Sequence, residues 1–192
     1  MNIFFLHWIP AICASFHVNT HVNKMVTETA QLLSSAMPES QRPYKLTHYN
    51  HPCAVWARES KSNWRWLHSL GVALYAEWRT RFNHSSTDTH KAGEVILSMA
   101  CPDLPELPFR VPPAAVADDC RPRSRSKHDV VRAYRLYYVV HKSHLHSWGN
   151  AGPPPWLDKY AIHVTKTGRK IIFTENPERL LQYCSYQLNF VT

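Results

Sequence analysis

The residues from His17 to Leu33 constrain the fold more than any other stretch of the chain. Read at 100° per residue, Val18, Val22, Met25, Val26, Leu33 and Ala36 share one side. His17, His21, Lys24 and Glu28 share the other, at spacings of four, three and four residues. Residues so spaced are neighbours along a helix surface. The pattern predicts an amphipathic helix whose apolar side other elements must cover.

The polar line places two imidazoles, an ammonium and a carboxylate within about three turns, each rising about 5.4 Å. A carboxylate beside a lysine favours both charged forms, whereas a nearby imidazolium disfavours the ammonium. Such a group suits a tuned acid, base or amine nucleophile. A solvated, ion-paired surface helix presents the same pattern. Histidines four apart also suit a metal pair. However, no HExxH accompanies them and Lys24 is a poor neighbour for a cation, so neither a metal nor another cofactor is expected.

The 192 residues suffice for one domain with a sizeable core. A hydrophobic content of 44% against 19% charged residues excludes a disordered chain. With only 5 glycines but 14 prolines, the chain reads as helices joined by proline-rich loops. The fold expected is mainly α: a compact bundle of about five helices. A short extended segment at Asn2–Leu6 precedes it, and a small hairpin and helix follow. Residues 1–156 would form the helical domain and 157–192 the appendage.

Within that frame, the first helix is expected from Pro10 to Met37, with Pro38 as its stop. A second runs from Pro52 to Glu59, capped by Asn50 or His51. After a break at Ser60–Ser62, a third, capped by Ser62, runs from Asn63 to Phe82. Its Trp66, Leu70, Ala73 and Leu74 should face inward, and Arg65, Arg79 and Arg81 outward. A fourth begins at Thr89 and ends before Pro102. Five prolines between Pro102 and Pro113 exclude helix there. The basic run Arg121–Lys127 suits phosphate or solvent. The fifth helix, about Lys127 to Leu145, should turn Val130, Tyr134, Tyr137 and Val140 inward, and Arg132, Arg135, Tyr138 and Lys142 elsewhere. Lys159–Val164 and Arg169–Thr174 flank a Lys166-Thr167-Gly168 turn signal, and Pro177–Leu188 reads as a last helix.

The formal charge of +8, the pI of about 9.4 and 13 histidines favour a polyanionic partner, although a merely soluble basic protein has the same balance. Cys13, Cys53, Cys101, Cys120 and Cys184 are odd in number and form no CxxC. They imply neither a disulfide framework nor a structural zinc site, and fit reduced thiols inside a cell. Ile3–Ala14 imitates a signal-peptide core, but no Lys or Arg precedes it and His7 and Pro10 interrupt it. No run reaches the roughly 18 apolar residues of a membrane span. An intracellular protein that is neither secreted nor in a membrane is expected.

Two further clusters carry chemistry. Thr47-His48-Tyr49-Asn50-His51-Pro52 sets two histidines against a helix start, where anions are attracted. His90-Lys91 opens the fourth helix in the same way. No Walker loop, GxGxxG or GxSxG is present, which disfavours nucleotide hydrolysis by those loops and serine hydrolysis.

Several of these runs resemble one family. They are Met1-Asn2-Ile3-Phe4, the line His17-x-x-x-His21-Val22-x-Lys24-Met25-x-x-Glu28-x-Ala30-Gln31-Leu32-Leu33, and Asn50-His51-Pro52-Cys53-Ala54-Val55-Trp56. His90-Lys91, Ala133-Tyr134-Arg135-x-Tyr137-Tyr138 and Pro154-Pro155-Trp156 complete the set. Together they resemble small, mostly phage-encoded proteins labelled pyrimidine-dimer DNA glycosylase-like, over about residues 1–156. The label borrows from a helical phage enzyme. There, an N-terminal α-amine attacks the sugar C1′, a glutamate on the first helix assists, and the resulting imine leads to strand cleavage.

The resemblance implies a glycosylase/AP lyase of viral type acting on double-stranded DNA with a damaged or modified base. Glu28, Lys24, His21 and His17 would be catalytic. Asn50, His51, Arg58, His90, Lys91, Arg135 and Tyr138 would face the DNA. This sequence departs from the pattern at Asn2, a large residue that should keep Met1 in place and leaves Lys24 as the alternative amine. A transferase modifying bases or nucleotides of viral DNA, and a non-catalytic basic nucleic-acid-binding module, are the competing readings. The sequence sets no oligomeric state.

Overall fold

Prolines and capping side chains mark out the helices. The structure, a computed structural model, describes residues 1–165 and 168–173. Among them are six α-helices: α1 (Pro10–Ser15), α2 (Asn19–Ser34), α3 (Pro52–Glu59), α4 (Lys61–Arg81), α5 (Lys91–Ser98) and α6 (Lys127–His141). The protein is therefore mainly α. Pro52 starts α3, and the His51 ring accepts from the Cys53 N–H at 3.2 Å. Ser60, in extended backbone, ends α3 and restarts the chain as α4, its hydroxyl accepting from the Asn63 N–H at 3.1 Å. The cap is thus Ser60 rather than Ser62. His90 precedes α5, which starts two residues later than expected.

The single helix expected from Pro10 to Met37 is two. The chain leaves helical geometry at Val18, with φ −65° and ψ 155°. Tertiary partners hold the break. Arg81 Nη2 donates to the Ser15 carbonyl at 2.9 Å, and Nη1 donates to the His17 carbonyl. The Asn19 N–H donates to the Ser147 carbonyl at 2.8 Å. Periodicity cannot see this, because the groups that replace the helical bonds are 64 and 128 residues away in sequence. Arg81 itself points inward, contrary to expectation, with its side chain 1% exposed and paired to Glu77 at 2.6 Å.

The long helix α4 is the axis of the fold. It packs against α1, α2, α3 and α5. Trp64, Leu67, Leu70 and Leu74 are buried along it, whereas Trp66 and Ala73 are half-buried. Burying a large apolar side chain contributes about 1.5–3 kcal/mol. Gly71 sets the spacing of α2, α4 and α5, since a Cβ there would meet Ile96 Cδ1 and Thr29 Cγ2 at 2.9 Å. The segment Ile3–Leu6 is buried but forms no strand. In α6 the inward residues are Val130, Val131, Ala133, Tyr134, Tyr138 and Val139. Tyr138, expected outside, is buried, and Tyr137, expected inside, is half-buried, a rotation of one residue or about 100°.

The proline-rich chain from Met99 to Ser126 contains no α-helix. Side chains from the helices hold it. Asn63 Oδ1 accepts from the Arg110 N–H, the Trp56 indole donates to the Arg110 carbonyl, and the Tyr134 hydroxyl serves Pro113 and Ala115. Near the end of the described chain, Tyr160–Thr165 and Gly168–Phe173 are antiparallel backbone strands. The Lys166-Thr167 turn and the helix expected at Pro177–Leu188 lie outside the described residues.

Candidate functional site

Asn2 organises the first residues. Its Oδ1 accepts from the N–H groups of Ile3 at 2.8 Å and Phe4 at 3.2 Å, and its Nδ2 donates to the Ala115 carbonyl at 2.8 Å. This fixes the segment beside α2. The Asn2 N–H then donates to Glu28 Oε2 at 2.9 Å, while Lys24 Nζ lies 3.1 Å from Glu28 Oε1. One carboxylate oxygen is thus held by backbone and the other faces an ammonium. Glu28 is 14% exposed and Lys24 68% exposed. The carboxylate is sheltered and fixed, and the amine reaches solvent.

His17 and His21 do not continue this face outward. Both are buried, and His17 precedes α2. His17 Nδ1 is 2.7 Å from the Cys13 carbonyl. A carbonyl only accepts, so Nδ1 carries the proton. His17 Nε2 has no hydrogen-bond partner among the described residues. His21 Nδ1 shares a hydrogen bond of 2.7 Å with the Tyr138 hydroxyl, and its ring stacks on Phe4 at 4.3 Å. Burial, with Arg81 adding to it, lowers the pKa of His17 to about 4. Burial, then the charges of His17, Lys142 and Lys24, lowers that of His21 to about 3. At neutral pH both are neutral packing groups beneath the Lys24–Glu28 pair.

These two histidines set an acid limit to stability. Above the unfolded value of 6.5 they are neutral in both states and cost nothing. Below it the unfolded chain binds protons that the folded chain refuses, so stability falls as pH drops from 6.5 toward 4. Near pH 5 the slope from the pair should approach about 2.7 kcal/mol per pH unit. Burial lowers His51, His90 and His146 as well, which adds in the same direction. Urea melts at pH 7 and pH 5 check this. A flat profile would contradict neutral, buried His17 and His21.

Around α2, Lys24 lies between Glu28, about 40° away, and Asn23, about 100° away. Each side has its own flank. On the Glu28 side stands His51, whose pKa burial lowers, with the positive amino group at Met1 and His48 adding and Glu28 opposing. His51 is joined to the preceding turn, its N–H donating to the His48 carbonyl at 2.8 Å. Arg58 braces this turn, lying 3.6 Å over the Tyr49 ring and donating to the Tyr49 carbonyl at 2.6 Å. A cleft of about 260 Å³ opens beside Asn50 and Pro52, with Trp56, Val111, Arg110 and Arg125 in its lining.

On the Asn23 side, the Trp78 indole donates to Asn23 Oδ1 at 3.1 Å and stacks on His84 at 3.6 Å. Asn19, Thr20 and Phe82 join them around a groove of about 350 Å³. His90 sits edge-on to Trp78 at 5.3 Å, and Lys91 is exposed beside it.

The structure therefore pairs Lys24 with Glu28 and sets His51 near enough to feel the Glu28 charge, with Arg58 on the neighbouring Tyr49 and His90 by Trp78 on the Asn23 side. Two of the expected DNA-facing residues, Arg135 and Tyr138, are engaged elsewhere. Arg135 Nε donates to the Leu6 carbonyl at 3.0 Å, with the guanidinium 5.3 Å from the Trp156 ring centroid. Tyr138 is fully buried. Sequence reasoning singled out the His48 cluster but not His48 as a site residue, and it missed Asn23, Trp78 and His84. His84 follows α4 in a loop and carries no pattern of its own, and only folding brings it onto Trp78.

Among the described residues, His17 and His21 gather no third metal-ligating side chain. The group of three that does form is Asp119, Cys120 and His141. No helix among these residues is long and apolar enough to cross a membrane. No family model, curated protein or solved structure matches the chain.

Proposed function

We propose that the protein is a DNA-acting enzyme of the glycosylase/AP lyase type. The observation that carries this reading is Glu28, a sheltered carboxylate fixed by the Asn2 N–H and set 3.1 Å from the Lys24 amine. The resemblance of the surrounding motifs to the pyrimidine-dimer glycosylase-like family supports it.

Glycosidic cleavage by an amine needs two groups in contact. In this reading, Glu28 takes a proton from the Lys24 ammonium. The freed Nζ attacks C1′, and the base departs with the bond's electrons and takes up a proton. As the C1′–O4′ bond of the resulting aminal opens, O4′ takes up a proton and Nζ loses one, which leaves an imine at C1′; loss of a C2′ proton then expels the 3′ phosphate. Glu28 also stabilises positive charge on the sugar. A base inside a duplex must leave the stack first. The exposed rings of Tyr49 and Phe82 offer surfaces for the opened strand, and His48, His51, Arg58 and Lys91 offer positive or hydrogen-bonding groups to phosphate.

The test is borohydride trapping on abasic and ultraviolet-irradiated duplex, followed by peptide mapping of the adduct. Adduct on Lys24 is expected, lost in Lys24→Ala. Adduct that persists in Lys24→Ala assigns the nucleophile elsewhere. Mass spectrometry of the irradiated reaction, after photoreversal of the dimer, should show a free base. A mass gain on the nucleoside instead would indicate a transferase.

A further inference from the structure

The segment from Met99 to Ser126 contains one turn of regular structure, the 3₁₀ turn Asp118–Cys120. That turn lies against the last residue of α6, His141. His141 Nε2 is 2.9 Å and 3.0 Å from the two oxygens of Asp119. One ligand atom each from Asp119, Cys120 and His141 lie within 4.8 Å of one another. Around a tetrahedral ion with bonds of about 2.0–2.3 Å, ligand atoms stand about 3.3–3.8 Å apart. A small opening of the His141–Asp119 contact makes room for an ion.

We propose that Asp119, Cys120 and His141 form a binding site for a divalent transition ion of the zinc class. Such an ion would fasten the proline-rich segment to the end of α6. The donor set is one thiolate, one imidazole and one carboxylate, which suits zinc or cobalt(II) rather than magnesium or calcium. Cys120 is buried, Asp119 exposed and His141 half-buried. The ion would therefore bind on the surface side of the thiol, with its fourth position open to water. Arg121, the neighbouring cation, is drawn to Asp118 at 2.8 Å, leaving the Asp119 carboxylate to His141 and the Cys120 thiol. Burial and the Asp119 charge raise the Cys120 thiol to about 12. A bound cation takes the proton's place, as at other thiol-ligated metals. This site is separate from the Lys24–Glu28 centre and does not depend on it.

The full chain, stripped with chelator, would be titrated with Co²⁺ and then Zn²⁺. The expected result is a sulfur-to-cobalt charge-transfer band that saturates at one equivalent, displacement by Zn²⁺, and a higher Tm with either ion. Cys120→Ser, a near-isosteric change, should abolish the band without altering the circular dichroism of the metal-free protein. Asp119→Asn and His141→Gln should each weaken Co²⁺ binding roughly tenfold or more. Absence of the band in the wild type would overturn the site. So would a band that persists in Cys120→Ser, or affinity unchanged in both other variants.

Discussion

Replacing Glu28 with glutamine should reduce cleavage of ultraviolet-irradiated or abasic duplex by about 10²–10⁴-fold, the range typical of a lost general acid–base group. The Tm should barely move. The amide oxygen of glutamine can still accept from the Asn2 N–H, which Glu28 now holds at 2.9 Å. What disappears is the charge facing Lys24. That ion pair is half in solvent, with Lys24 68% exposed, so its loss costs at most about 1 kcal/mol of stability. Catalysis and folding therefore separate in this one variant. Single-turnover cleavage and thermal melts of the two proteins would measure both. Full activity with a lowered Tm would make Glu28 a structural tie of the first residues. Full loss of activity with an unchanged Tm would leave proton transfer or charge stabilisation as its role.

The contrast between Glu28 and His21 shows what the sequence could and could not express. Both lie on one side of α2 by spacing, and both are polar. Their fates differ because Asn2 delivers a backbone donor to one and Phe4 and Tyr138 enclose the other. Helical periodicity reports direction around one axis. It does not report whether a neighbouring element will cover that direction. The α3 boundaries were legible because Pro52 and His51 act within the same turn, and so was the absence of α-helix across the proline-rich segment. The division of the first helix was not, since its cause is a side chain near the end of α4. The Asp119–Cys120–His141 group was equally hidden, because His141 lies 21 residues beyond Cys120 and the three match no spacing rule. The Lys24–Glu28 pairing needed only an i, i+4 relation, which the sequence states outright.

Arg81→Ala should destabilise the protein by about 3–5 kcal/mol, as expected when one partner of a buried ion pair is removed. At about 2–4 °C per kcal/mol for a chain of this size, the Tm should fall by roughly 6–20 °C. The Arg81 side chain, 1% exposed, serves three acceptors at once: the Ser15 and His17 carbonyls and the Glu77 carboxylate. Alanine leaves two carbonyls at the α1–α2 break without this donor, and Glu77 without its cation. Lysine restores charge but not the planar fork that reaches two carbonyls and a carboxylate together, so Arg81→Lys should recover only part of the loss. Glu77→Gln, which keeps an acceptor at a 25% exposed position, should cost less than either. The break fixes where α2 begins, and hence how Lys24 and Glu28 turn toward Asn2. Cleavage by Arg81→Ala should therefore fall even at temperatures where the variant remains folded. A Tm within about 2 °C of wild type would mean that the break between α1 and α2 is held by the Asn19–Ser147 contact instead.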